Sequence, residues 1–440
     1  MALALVNLCG FAARSDAAPA AEVVTVSAER MLDIDSGQLL PAPVLRIEGG
    51  TITDIHQRLP GEAVTHDFGN TTLVPGLIDC HTHLIGGENL SPYGYLTQSA
   101  ARAAIEGVAN ARATLEAGFT TVRDLGSRDF ADVALRDAIQ SRRVLGPRMF
   151  VAVHQLSATG GHGDWNDLPP DVVVNRHDKP ADGVEAVRTK VRENLKYGAD
   201  WIKILVTGGV TSVGTSPQQA DYTEEEIHAA VVAAQARGRD VAAHAHGTEG
   251  ILRAVRAGVR SVEHASFLND AAIAEILRRG IFIVPNPYTN YYILERAHTG
   301  AFQDYEVAKS REVYQHKVDS LRRAIRAGVR VAYGTDAGVQ PHGLNGRQLA
   351  LYVEAGMTPL QAIQSATLVA AQLLRQERRL GRLRAGYVGD IVAVRGNPLQ
   401  TIRTLEAPVY VVKEGVLVFR KDQAAAVCPQ QSPAADHVWR

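Results

Sequence analysis

Val74-Pro75-Gly76-Leu77-Ile78-Asp79-Cys80-His81-Thr82-His83 is the stretch on which the reading of this 440-residue chain turns. An apolar run reaches Ile78 and Leu84-Ile85-Gly86-Gly87 follows, so two imidazoles fall where a buried strand opens into a glycine-rich loop. Side chains alternate along an extended strand, which points His81 and His83 to the same side. Two imidazoles so placed suit one metal ion; taken alone, an alternating strand with two polar residues explains them equally well. Cys80 between them reads as a packing residue.

The surroundings weigh in favour of a site. From about Val74 to Leu383 short apolar runs alternate with helical patterns, and candidate strands fall at Leu77 to Cys80, Thr120 to Arg123, Met149 to Val153, Trp201 to Val206, Asp240 to Ala243, Ser261 to Glu263, Ile281 to Val284 and Val331 to Gly334. Eight strands is the number of a TIM-like (β/α)8 barrel, whose catalytic groups stand at the C-terminal strand ends. Amphipathic helices are expected over Glu185 to Lys196, Glu224 to Arg237, Ala271 to Arg279 and Val313 to Arg326. Ala117-Gly118, Ala257-Gly258 and Ala327-Gly328 read as helix C-caps leading into strands. An open doubly wound sheet is the competing α/β architecture, but His-Thr-His stands where that fold usually carries a glycine-rich phosphate loop.

Both ends of the chain have a different texture. Val23 to Val26, Pro43 to Ile47 and Thr51 to Ile55 read as short strands with a Gly49-Gly50 turn, and Asp390 to Val394, Val409 to Lys413 and Val416 to Val418 repeat the pattern. A small β-sandwich from residues 22–73 and 385–422 is therefore expected, with a barrel of residues 74–384 inserted into it and a tail over 423–440. Residues 1–21 are apolar and then small, as in the remnant of an export signal, or a disordered extension. The first reading makes the protein periplasmic or secreted, the second cytoplasmic. No stretch is long and apolar enough for a bilayer span.

Composition narrows the function classes. With 46 Lys+Arg against 47 Asp+Glu the formal charge is −1, so neither nucleic acid nor an anionic membrane is expected as a partner. Cys9, Cys80 and Cys428 match no zinc knuckle, redox pair or disulfide framework.

At the ends of the candidate strands stand His81 and His83 (first), Lys203 (fourth), His244 and His246 (fifth), His264 (sixth) and Asp336 (eighth), a set compatible with a two-metal hydrolytic centre. A protonated lysine would repel two cations at close range. Carbamylation of Lys203 by carbon dioxide would turn it into a bridging carboxylate; otherwise it is a lysine snorkelling from the barrel mouth. Asp336, in Gly334-Thr335-Asp336, can ligate a metal and accept a proton from water.

This set, in this order, resembles the amidohydrolase superfamily over nearly the whole chain, the Gly386-Tyr387-Val388-Gly389-Asp390-Ile391 return included. The resemblance implies two divalent metal ions, one held by His81, His83 and Asp336 and the other by His244 and His264, with carbamylated Lys203 bridging and Asp336 as general base and acid. Zinc suits these ligands, although manganese or cobalt fits the same set. Ser157-Ala158-Thr159-Gly160-Gly161-His162-Gly163-Asp164 and Gly208-Gly209-Val210 look like the subgroup that cleaves Xaa-Pro dipeptides and N-acyl amino acids and includes ochratoxinase-like enzymes.

The expected function is hydrolysis of a small-molecule amide such as an N-acyl amino acid, a dipeptide or ochratoxin A, by a homo-oligomer. His154, His162, Tyr222, His246 and His342 are candidate substrate contacts, and Glu88, Tyr93, Tyr95, Tyr288, Tyr291 and Tyr292 are candidates for the pocket mouth. The alternative is a heterocycle deaminase or cyclic-amide hydrolase, imidazolonepropionase-like, which carries a glutamate three residues after a strand-five histidine. Here Gly247 stands at that offset from His244, and Glu249 at that offset from His246.

Overall fold

The computed structural model describes residues 23–86, 96, 98–172 and 179–421. The expectations for residues 1–21 and 423–440, for Cys9 and Cys428, and for Glu88, Tyr93 and Tyr95 lie outside the described residues.

Seven strands precede the barrel: β1 (Val23–Ser27), β2 (Arg30–Leu32), β3 (Leu39–Pro41), β4 (Pro43–Glu48), β5 (Thr51–Gln57), β6 (His66–Asp67) and β7 (Thr71–Pro75). The barrel strands are β8 (Leu77–Thr82), β9 (Phe119–Asp124), β10 (Arg148–Val151), β11 (Trp201–Leu205), β12 (Asp240–Ala245), β13 (Ser261–His264), β14 (Phe282–Val284) and β15 (Arg330–Val331), and β16 (Ile391–Arg395), β17 (Tyr410–Lys413) and β18 (Val416–Arg420) return to the sandwich. The helices are α1 (Ala100–Glu116), α2 (Ala131–Gln140), α3 (Val184–Lys196), α4 (Glu224–Gln235), α5 (Thr248–Ala257), α6 (Asp270–Arg279), α7 (Pro287–Glu295), α8 (Asp304–Ala327), α9 (Gln348–Glu354), α10 (Pro359–Ser365) and α11 (Leu368–Leu373).

The chain ends build one sandwich. Its sheets run β5-β4-β1-β6 and β18-β17-β16-β7-β2-β3, with β7 antiparallel to β16 from Pro75–Ile391 to Thr71–Arg395. Val26, Leu45, Ile47, Ile52, Leu73, Ile391, Ala393 and Val412 form its apolar core. Only Gly76 separates β7 from β8. A Cβ there would meet Thr120 Oγ1 at 2.2 Å, so the two units join where only glycine fits.

The barrel strands pair in parallel as β10-β9-β8 and as β11-β12-β13-β14-β15. Irregular hydrogen bonds close both seams. Leu156 N donates to Lys203 O and Leu205 N to Leu156 O between β10 and β11; Cys80 N donates to Tyr333 O, Asp336 N to His81 O and His83 N to Ala337 O between β15 and β8. The expected strand over Val331 to Gly334 is shorter than its apolar run, because Tyr333 N turns to Ser365 O rather than to a strand partner. β8, β9, β11 and β13 are buried throughout, as strands with covered faces must be.

The expected helices are present, with one difference that matters for the site. The helix read over Val313 to Arg326 begins nine residues earlier, at Asp304, where Gln303 and Glu306 form a reciprocal cap. Gly258 and Gly328 close α5 and α8 in the left-handed conformation. Cys80 packs with Trp201, Ala242 and Phe282, and burial pushes its thiol far above the ordinary range. No described helix is long and apolar enough to cross a membrane.

Candidate metal centre

β8 delivers the histidine pair to the barrel mouth and the turn after β15 brings Asp336 to meet it. His81 Nε2 lies 3.3 Å and His83 Nε2 3.2 Å from Asp336 Oδ1. One ligand atom from each of these residues falls within 4.8 Å of the others, and His244, His246 and His264 form a second such group. The groups adjoin, since the His81 and His264 rings are 5.2 Å apart. Lys203 on β11 places Nζ 3.4 Å from His81 Nε2.

Electrostatics suit cation ligation. Burial, reinforced by neighbouring cationic groups, holds His244, His246 and His264 well below the usual imidazole range, so they present neutral lone pairs. Burial alone would raise the Asp336 carboxyl, but His81, His83 and Lys203 outweigh it and hold the group far below the usual carboxylate range. Burial lowers Lys203 from 10.5 to about 8. Two imidazoles with a carboxylate, and three neutral imidazoles beside them, are donor sets that fit divalent metals of the zinc type. His264 and Asp336 adopt left-handed φ of 70° and 62°, a backbone strain typical of functional turns.

Beneath His81 lies a buried network that the strand reading missed. His81 Nδ1 is 3.0 Å from Glu263 Oε2, Arg123 Nη2 donates to Glu263 Oε1 at 2.8 Å, and Ser261 Oγ donates to the same oxygen at 2.5 Å. Arg123 also lies over the Trp201 ring at 4.6 Å. Burial would raise Glu263, yet Arg123 and His81 hold it down at about 2. Arg123 and Glu263, each the last residue of an expected barrel strand, were the available signal, because buried charges need partners. Asp79 fastens the mouth itself, accepting from His81 N at 3.1 Å, Thr335 Oγ1 at 2.6 Å and Asn345 Nδ2 at 2.8 Å. Glu263→Gln is expected to weaken metal binding about 10- to 100-fold by loosening the His81 ring. Chelator competition measures it, and unchanged affinity would show that the carboxylate does not orient the ligand.

The histidines, Lys203 and Asp336 open into one cavity of about 470 Å³, the size of a small-molecule site. Of the candidate substrate contacts, His162 lines it, 4.5 Å from the His244 ring and with Nδ1 2.9 Å from Ser212 Oγ. Gly209 permits this approach, since a Cβ there would lie 2.2 Å from His162 Cε1. His246 also lines it, Nδ1 set by Ser266 Oγ at 2.7 Å.

The other three stand outside the cavity lining, contrary to expectation. Tyr222 is fully buried in the barrel–helix core and its hydroxyl donates to Ala181 O at 2.9 Å. His154 packs against Phe130 with ring centroids 4.5 Å apart. His342 sits behind the His83 loop, Nδ1 3.3 Å from Thr114 Oγ1.

Tyr288, Tyr291 and Tyr292 are also corrected. They lie on α7 and not in the lining of the cavity; Tyr288 and Tyr292 pack inward on the core side and Tyr291 faces solvent. The helix instead gives Thr289, Asn290 and Ile293 to the cavity, and Trp165, Phe302 and Tyr305 supply the aromatic lining. Tyr305 comes from the unanticipated first turns of α8, and Lys317, from its expected part, completes the wall.

A protein-family model described as "Amidohydrolase family" matches residues 72–418. The chain belongs to the amidohydrolase family. This amidohydrolase is 34% identical over 355 residues to an ochratoxinase from Aspergillus niger, covering 76% of this chain and 72% of that protein. Among solved structures it is similar to a Xaa-Pro dipeptidase with methionine bound in the active site (TM-score 0.84, 36% identity, 90% of this chain and 99% of that one). It also resembles a prolidase complexed with N-methylphosphonate-L-proline (TM-score 0.84, 32% identity, 91% of this chain and 100% of that one). As an amidohydrolase with such relatives it is a hydrolase of amide or peptide bonds.

Proposed function

We propose that this amidohydrolase uses a binuclear metal centre to cleave the amide of a small N-acyl amino acid or dipeptide-like substrate, aryl amides of the ochratoxin A kind included, releasing a free amino acid. The observation that carries the reading is the meeting of two ligand groups and Lys203 in one cavity. His81, His83 and Asp336 would hold one ion and His244 and His264 the other, with zinc favoured by ligand type. Carbamylated Lys203 would bridge: its neutral amine adds to carbon dioxide with loss of a proton, becoming an anion on a long arm. When bound, the ions polarise the amide carbonyl and acidify water.

The chain's own residues do the rest. Asp336, kept ionised, accepts a proton from water and returns it to the departing nitrogen. His162, neutral because burial holds it at about 4, lines the cavity and would orient the substrate carbonyl. Trp165, Phe302 and Tyr305 offer flat apolar surface to a ring-bearing acyl group. The heterocycle alternative needs a glutamate in the site, and Glu249 is not there: its carboxylate pairs with Arg253 at 2.9 Å and is 58% exposed.

Zinc-reconstituted protein is expected to release amino acid from members of a panel of Xaa-Pro dipeptides, N-acyl amino acids and ochratoxin A, and a chelator should stop the release. Release from no member, with metal bound, would overturn the reading.

A further inference from the structure

The loop that holds His162 in the cavity is fastened by a helix about a hundred residues further along the chain. Between β11 and α4 the chain runs through Gly208-Gly209-Val210-Thr211-Ser212-Val213-Gly214-Thr215. Three carbonyls of this loop are taken up by the first turns of α8. Lys309 Nζ donates to Ser212 O at 2.6 Å and to Gly209 O at 3.1 Å, and the Tyr305 hydroxyl donates to Thr211 O at 3.3 Å. Among the described residues no backbone N–H donates to these carbonyls, so the course of the loop depends on α8.

The two residues that Lys309 grips are also the two that touch the His162 ring. Gly209 lies so close that a Cβ there would stand 2.2 Å from Cε1, and Ser212 Oγ is 2.9 Å from Nδ1. Thr215 Oγ1 ties the pair together, 2.6 Å from Ser212 Oγ and accepting from Gly209 N at 3.3 Å. The ring so held is 4.5 Å from that of His244.

We infer that Lys309, from outside the cavity lining, is a positioning residue for catalysis: by holding Gly209 and Ser212 it fixes the His162 ring beside the second histidine group. The inference rests on the amide-hydrolase reading, in which His162 orients the substrate carbonyl, and adds to it the element that sets the ring. A misplacement of about 1 Å in such a group costs on the order of 10²-fold in rate.

The test is a double-mutant cycle on the zinc-loaded enzyme, with kcat and KM measured on one cleaved substrate of the panel. Lys309→Met is expected to lower kcat about 30-fold with KM changed less than about 3-fold. His162→Ala should lower kcat at least as much. In the His162→Ala background, Lys309→Met should cost less than about 2-fold more, because a residue acting through the ring has nothing left to act on. An undiminished loss in that background, a loss confined to KM, or wild-type turnover in either single variant overturns the inference. Should Lys309→Met fail to fold, Lys309→Gln, whose arm is shorter than that of lysine, enters the same cycle under the same criteria. If no panel substrate is cleaved, the amide-hydrolase reading fails, and amide hydrogen exchange of the metal-free enzyme decides Lys309 separately. Exchange over residues 209–216 at least about tenfold faster in the variant, with the rest of the chain unchanged, supports the fastening of the His162 loop; unchanged exchange there overturns it.

Discussion

Asp336→Asn is expected to lower kcat about 10³-fold while leaving the fold intact, because a positioned acid–base group contributes on the order of 10²–10⁴-fold. Asparagine keeps the shape and can still hydrogen-bond, but it neither accepts a proton from water nor returns one to nitrogen. Its carboxylate is also the anionic member of the first ligand group, 3.3 and 3.2 Å from two histidine nitrogens, so part of the bound metal should be lost as well. Thermal melting, metal content and kcat on one substrate separate these effects. Turnover within tenfold of wild type would remove Asp336 from proton transfer.

Lys203→Ala should be nearly as severe, costing about 10³-fold in activity together with a share of the metal, since polarisation by bound ions supplies several kcal/mol. Carbamylation gives this prediction a pH signature. Only the neutral amine adds to carbon dioxide, and burial lowers the folded-state value from 10.5 to about 8. A lowered value means a larger neutral fraction at any given pH. At a fixed concentration of dissolved carbon dioxide, the rate at which metal and bicarbonate buffer reactivate stripped enzyme should therefore rise as pH climbs from 6 and level off above about 8. A midpoint near 10.5, or reactivation indifferent to bicarbonate, would argue for an unmodified lysine. A Lys203→Ala enzyme that keeps two metals and full activity would sink the bridging role.

The parts of this molecule legible in the sequence are those written in short-range pattern. Eight apolar runs separated by helices located the barrel strands, and period-two alternation aimed His81 and His83 at one point, where Asp336 was found. The Gly49-Gly50 turn and the β-rich ends located the sandwich, because strand and turn chemistry is local.

What escaped was decided by tertiary context. Tyr222 and His154 follow barrel strands as site residues do, but loop course carried them into packing positions. The tyrosines expected at the pocket mouth fall on α7, whose 3.6-residue period puts Asn290 and Ile293 at the cavity in place of Tyr288 and Tyr292. Glu263 and Arg123 meet across a sequence separation of 140, a pairing that no local pattern encodes.

Titrating metal-free enzyme with zinc in the presence of bicarbonate, while following amino-acid release and bound metal on the same samples, tests the binuclear amide-hydrolase reading as a whole. The expected result is activity that grows with occupancy and reaches its plateau at two ions per chain. Full activity at one ion, or two bound ions with no amino acid released from any substrate of the panel, would contradict it.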